Sequence, residues 1–202
     1  MIQSAGIALV VKSLLGTSPI SSLPYVLSLI SPFTFGQTTF TVNMVFVVFE
    51  LLMLRRDFPA VFWLQIPVTI LFGFCIDFFM NLFTIVPDAY ALKLLLCLLG
   101  TALVALGVAG QGIADVLMLA GEGAVYTFAH QFHIDFGKVK VGNDISLVIL
   151  AAIVSVLTMG TIEGIREGTL ISALLTGIIA RFYLRHLSRI DAHGRIYLAP
   201  HR

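Results

Sequence analysis

The chain has 202 residues; 58% are hydrophobic and only 11% charged, and the net charge is +1. A soluble domain is typically about a quarter charged, so this composition, with a mean hydropathy of +1.01, excludes an ordinary water-soluble fold. The near-zero net charge gives no reason to expect nucleic acid as a partner.

The apolar runs are continuous rather than alternating, which predicts membrane helices and not an outer-membrane barrel. Met1 to Leu15 lacks a basic flank and a cleavage signal, so it reads as a first helix rather than a leader. Gly16-Thr17-Ser18-Pro19-Ile20-Ser21-Ser22-Leu23-Pro24 then interrupts the apolar run. Pro19 has no N–H and disfavours helix at Ser18, so a helix cannot pass smoothly through this point. Pro19 to Ile30 is too short to span comfortably at about 20 residues per crossing. Spanning helices are predicted over Thr38 to Leu54, Pro59 to Phe83 and Ala89 to Ala109. A second break, Gly110-Gln111-Gly112-Ile113-Ala114-Asp115, opens a segment from Gly112 to His130. Residues 131–142 read as a polar loop, Asn143 to Met159 and Gly168 to Leu187 as helices, and the basic stretch from Ser188 as a loose cytoplasmic tail.

The two halves repeat. Shifted by 94, residues 6–24 meet 100–118 with six identities in nineteen: Gly6, Ala8, Leu9, Val10, Gly16 and Leu23. Shifted by 101, Phe35-Gly36 meets Phe136-Gly137 and Asn43 meets Asp144; shifted by 104, Gly73 meets Gly177 and Asp77 meets Arg181. The expectation is therefore an all-α integral membrane protein, a single transmembrane domain over 1–188. Two inverted repeats, 1–84 and 89–187, would each hold three transmembrane helices and one short broken or re-entrant segment. With six crossings, nine Lys and Arg fall inside and only Arg166 outside; with eight crossing helices the ratio drops to seven to three. The positive-inside rule favours six.

Gly-Ile-Ala-Leu-Val-Val-Lys followed by Leu-Gly-Thr-Ser-Pro at 6–19 resembles the opening of the YczE/YyaS/YitT family of bacterial multi-pass inner-membrane proteins. Gly-x-Gly-x-x-Asp at 110–115 and Phe-Gly-Lys-Val-Lys at 136–140 fit the same picture. The resemblance implies a multi-pass protein of the bacterial plasma membrane, with a transporter as the common guess. Ile20-Ser21 replaces the Trp-Asp often found after Ser-Pro in that family, so the first break lacks an acid that the second keeps as Asp115.

Duplicated helix breaks in an apolar chain point to a binding site, because half-helix N-termini and freed backbone groups are tolerated only beside protein or a water-lined cavity. Asp115 and Glu122, seven residues apart, are the acidic candidates there; each also has a plain structural role, Asp115 as a helix cap and Glu122 as a headgroup contact. Ser18, Ser21, Ser22 and Gln111 supply hydrogen-bonding groups, balanced against simply satisfying broken backbone. Asn43 and its repeat counterpart Asp144 add a third pair, with capping as the default for Asp144. Glu50 reads as snorkelling toward Arg55 and Arg56, and Asp77 as the partner of Lys93 or Arg181. Cys75 and Cys97 have no motif spacing, and His130 and His133 lack a third ligand, so neither a metal nor a cofactor is expected. Nor does any nucleophile–base arrangement suggest an enzyme. The functional expectation is a small secondary transporter, or its substrate-binding unit, for a small polar solute, with a proton or cation as co-partner, embedded in the bilayer and open to homo-oligomerisation. A channel-like or lipid-handling protein, and a non-transporting membrane scaffold, are the alternatives.

Overall fold

Among the described residues, four helices are long and apolar enough to cross a bilayer, over Phe35–Leu54, Val61–Leu82, Tyr90–Gln111 and Phe136–Met159. The computed structural model describes residues 1–55, 60–114, 118–190 and 196–198. Its helices are α1 (Ile2–Lys12), α2 (Pro19–Ile30), α3 (Phe35–Leu54), α4 (Gln65–Leu82), α5 (Tyr90–Ala114), α6 (Ala120–Phe132), α7 (Phe136–Met159) and α8 (Glu167–Leu187). A 3-10 turn, Ala60–Leu64, leads into α4. Large apolar side chains stay outside the core, Leu157 at 80% exposure and Leu174 at 71%. In water such a surface would drive aggregation; in lipid it is the expected outer face. The protein is an all-α membrane protein.

The helices α1–α4 correspond in order to α5–α8. The axis relating the halves is visible in α1 and α5. A Cβ on Gly6 would lie 2.6 Å from the carbonyl oxygen of Gly100, and one on Gly100 would lie 2.7 Å from that of Gly6. On one side of this crossing Gln3 meets Gly107, and on the other Val10 meets Gly100. Residue numbers thus rise along α1 as they fall along α5, so the two counterparts run antiparallel. Ile20, in the first turn of α2, meets Gly121, its counterpart in the first turn of α6. Several other contacts pair up in the same way, α2 on α7 with α6 on α3 and α1 on α4 with α5 on α8, whereas the packing of α3 on α4 is not matched between α7 and α8.

The short helix α2 begins where the sequence stops favouring continuous helix. Ser18 N-caps α2 and Pro19 occupies its first turn, where its missing N–H leaves no bond unmade. The first break docks on the start of α8: the Thr17 N–H donates to Thr169 Oγ1 (3.2 Å) and the Gly168 N–H to the carbonyl of Leu15 (2.8 Å). Gly16 there has φ +114°, a left-handed conformation that L side chains rarely adopt, which explains a glycine at this turn.

Three expectations need correction. Gly110, Gln111 and Gly112 do not break a helix; α5 continues to Ala114, and α6 starts at Ala120. Alanine and leucine around these glycines keep the helix intact, and the shift between repeats changes from 94 to 101 across two extra turns of α5. Residues 136–142 are not loop but the first two turns of α7, because Asp135 caps them by accepting from the Lys138 N–H (3.2 Å). The tail is not wholly loose: Ser188–Ile190 pairs antiparallel with Ile196–Leu198, Ser188 opposite Leu198.

Candidate functional site

Helix α6 starts inside the protein, so its free N–H groups need partners. Its capping residue is Leu119, whose side chain has no oxygen to offer. Other helices supply the acceptors. The Leu119 N–H donates to Gln111 Oε1 on α5 (3.0 Å), and the Gly121 N–H to Asn43 Oδ1 on α3 (3.3 Å). Asn43 is oriented by its own amide, which donates to the Thr39 carbonyl (2.8 Å). Gln111 is oriented likewise, its Nε2 donating to Gln3 Oε1 on α1 (2.6 Å).

Glu122 follows in the first turn of α6, 6% exposed. Its carboxylate faces Gln3 on α1 and the pair Lys140–Asp144 on α7. Lys140 Nζ lies 3.2 Å from Asp144 Oδ1, one turn along the same helix. A line of polar side chains therefore runs from Gln111 through Gln3 and Glu122 to Asp144 and Lys140, across four helices of an otherwise apolar bundle. A cavity of about 510 Å³ opens at its Gln3–Gln111 end, lined also by Phe72, Gly107, Gly110 and Leu119. Two carboxylates, one ammonium and two amides form a set suited to holding a small polar or cationic solute, or a proton, by charge-assisted hydrogen bonds.

A family model described as a family of unknown function, DUF6198, matches residues 1–185. The chain belongs to the DUF6198 family. No curated protein and no solved structure matches it. The reading of this DUF6198 member therefore rests on its own geometry.

Of the residues expected at the site, Gln111, Glu122, Asn43 and Asp144 converge on the start of α6. Asp115 lies outside the described residues. Ser18, Ser21 and Ser22 are buried but do not reach this site: Ser18 Oγ donates to Ser21 Oγ (3.0 Å) and Ser22 Oγ to the Ser18 carbonyl (3.2 Å). They satisfy the backbone and one another at the start of α2, as hydroxyls beside a proline break do. The two short helices meet at Ile20 and Gly121, yet their polar side chains diverge.

Asp144 does not cap α7; it sits two turns inside and pairs with Lys140. Asp77 caps α3, accepting from the Thr34 hydroxyl at Oδ2 (2.6 Å) and from the Gly36 N–H at Oδ1 (2.7 Å); among the described residues no ion pair joins it to Lys93, and the Arg181 side chain lies outside them. Glu50 does not snorkel: it is fully buried against α4 and α6. Gln3 and Lys140 were absent from the expected set. The signal for Lys140 was its spacing of four from Asp144. For Gln3 it was a lone amide in the first turn of an apolar helix.

Proposed function

We propose that this protein is a small, non-enzymatic solute transporter, or the solute-binding unit of one, acting at the start of α6. The observation that carries the reading is the buried line Gln111–Gln3–Glu122–Asp144–Lys140 ending at a cavity beside a half-helix N-terminus. Buried ionisable groups at membrane depth are expensive and mark solute or ion paths. Antiparallel counterparts α1 and α5 supply the architecture in which one half can rock against the other. The solute is small and polar, an amine or another cation-like molecule, with a proton as the natural co-substrate. On the positive-inside assignment the cavity opens to the cytoplasm of a bacterial plasma membrane, and the C-terminus lies on the same side. The YczE/YyaS/YitT resemblance supports that location.

A second reading has its own support: an apolar cavity of about 430 Å³ between α3, α6 and α7, lined by Val45, Phe49, Ala124 and Phe128, suits an acyl chain.

The test is a ligand screen by thermal shift on purified protein, run beside Glu122→Gln and Gln111→Ala. A solute at a hundred times its Kd stabilises by about 2.7 kcal/mol. The expected result is a polar solute whose stabilisation both variants lose, and whose uptake into proteoliposomes saturates. Stabilisation by lipids alone, unchanged in both variants, would overturn transport in favour of lipid handling.

A further inference from the structure

The start of α6 does not use every buried acid. Glu50 lies in the penultimate turn of α3, with none of its surface exposed. A Cβ on Gly123 of α6 would overlap Glu50 Oε1 and lie 3.0 Å from Gln65 Nε2, so the carboxyl is wedged between the α6 backbone and the Gln65 amide at the start of α4. Both Glu50 oxygens, and Oε1 of Gln65, lack a hydrogen-bond partner. Gln65 is itself 1% exposed. Among the described residues no cation forms an ion pair with Glu50. Of the charged residues on the elements around it, Glu122 on α6 turns to Gln3, Lys140 and Asp144, and Asp77 on α4 is engaged with Thr34 and Gly36. Arg55 follows at the end of α3, and Arg56 and Asp57 lie outside the described residues.

Among the described residues, a carboxylate in such a place has neither a cation nor a donor of good geometry to offset its lost hydration. A metal ion needs several oxygen ligands and room between them. Here the α6 backbone is pressed directly onto the carboxyl, and the space at Gly123 is already filled. A proton needs no room: it converts Glu50 to the neutral acid and removes the charge that burial penalises.

We propose that Glu50 is a proton-binding site in the membrane interior, taking up and releasing one proton against Gly123 and Gln65. The carboxyl loses its proton to water and becomes a carboxylate; the reverse step restores the acid. In the ionised form the wedge against Gly123 is no longer favourable, so α6 shifts. Glu122 immediately precedes Gly123 on α6, so this movement reaches the solute site. That coupling rests on the transport reading; the proton site itself does not.

The test uses the full chain in lipid nanodiscs, with no solute present. Infrared difference spectra between acidic and alkaline pH are compared for wild type, Glu50→Gln and Glu50→Asp. The expected result is a buried carboxyl C=O band, slow to exchange with deuterium, that wild type loses on alkalinisation. Glu50→Gln lacks the band, and Glu50→Asp moves its midpoint. Releasing the proton leaves a charge in the wedge and destabilises it, so the wild-type melting temperature is expected to fall as pH rises, and Glu50→Gln removes that fall. An unchanged band in both variants would overturn the proposal. So would stabilisation of wild type by sodium chloride over choline chloride that Glu50→Gln abolishes, since Glu50 would then hold a metal cation. Failure to find a transported solute leaves these spectra unaffected, so the two readings stand or fall separately.

Discussion

Gly6 of α1 and Gly100 of α5 pack backbone against backbone, and each is the other's counterpart in the duplicated sequence. Two counterparts can touch only on the axis that relates the halves, so this contact is the centre of the fold. Without side chains the two helices approach closely, which in lipid substitutes van der Waals packing for the missing hydrophobic drive. Gly100→Ala places a methyl 2.7 Å from the Gly6 carbonyl and 2.8 Å from the Val10 nitrogen. The expected loss is about 1–3 kcal/mol in detergent unfolding. Gly177→Ala is the control: it meets open space within 4 Å, so helix propensity alone acts and stability holds or rises.

Asp77 caps α3 from a distance of 41 residues, joining the Gly36 N–H and the Thr34 hydroxyl. Thr34 in turn forms a reciprocal pair of bonds with Gln37. Asp77→Ala strips the remote acceptor and is expected to cost about 1–2 kcal/mol, within the range of N-cap losses. Asp77→Asn keeps one acceptor and loses less. Thermal melts of the two variants check the order.

How much of this was legible in the sequence can be judged at the same positions. The repeat was, because Gly6–Gly100 and Gly73–Gly177 recur at nearly constant spacing. The start of the short helix α2 was too, because Pro19 favours a first-turn position; the sequence places the start of α6 at Gly112, whereas it lies at Ala120. The end of α5 was not: Gly110 and Gly112 look like a break, yet a helix held by neighbours tolerates glycine at about 1 kcal/mol each. Partners were harder still. Asp77 has cations at matching positions, but its partners are the Thr34 hydroxyl and the Gly36 N–H at the start of a crossing helix, and sequence spacing carries no information about a crossing. Glu50 was misread for the same reason: Arg55 is near in sequence, whereas Gly123 and Gln65 are near in space.

Lys140 lies between two acids, Asp144 at 3.2 Å and Glu122 across the α6–α7 contact. Lys140→Met leaves both carboxylates without their cation, and a loss of about 1.5–3 kcal/mol is expected from removing a charged hydrogen bond. Asp144→Asn in that background restores part of it, because one of the two repelling charges goes. A double-mutant cycle on the purified protein should give a coupling energy of about 1 kcal/mol or more. Simple additivity would mean that Lys140 and Asp144 do not act as one unit.

Inversion of the halves has a consequence for sidedness. Phe33, 60% exposed, precedes α3, and Ile134, 43% exposed, precedes α7 at the same offset of 101 as Phe35 and Phe136. Antiparallel counterparts place these two positions on opposite faces of the membrane. A cysteine-free background would first replace Cys75 and Cys97, both buried. Phe33→Cys is then expected to react with an impermeant maleimide from outside intact cells. Ile134→Cys should react only after the membrane is opened, because Lys138 and Lys140 hold its end of α7 on the positive side. Labelling of both from the same side would overturn the inverted arrangement, and with it the rocking of one half against the other on which the transport reading depends.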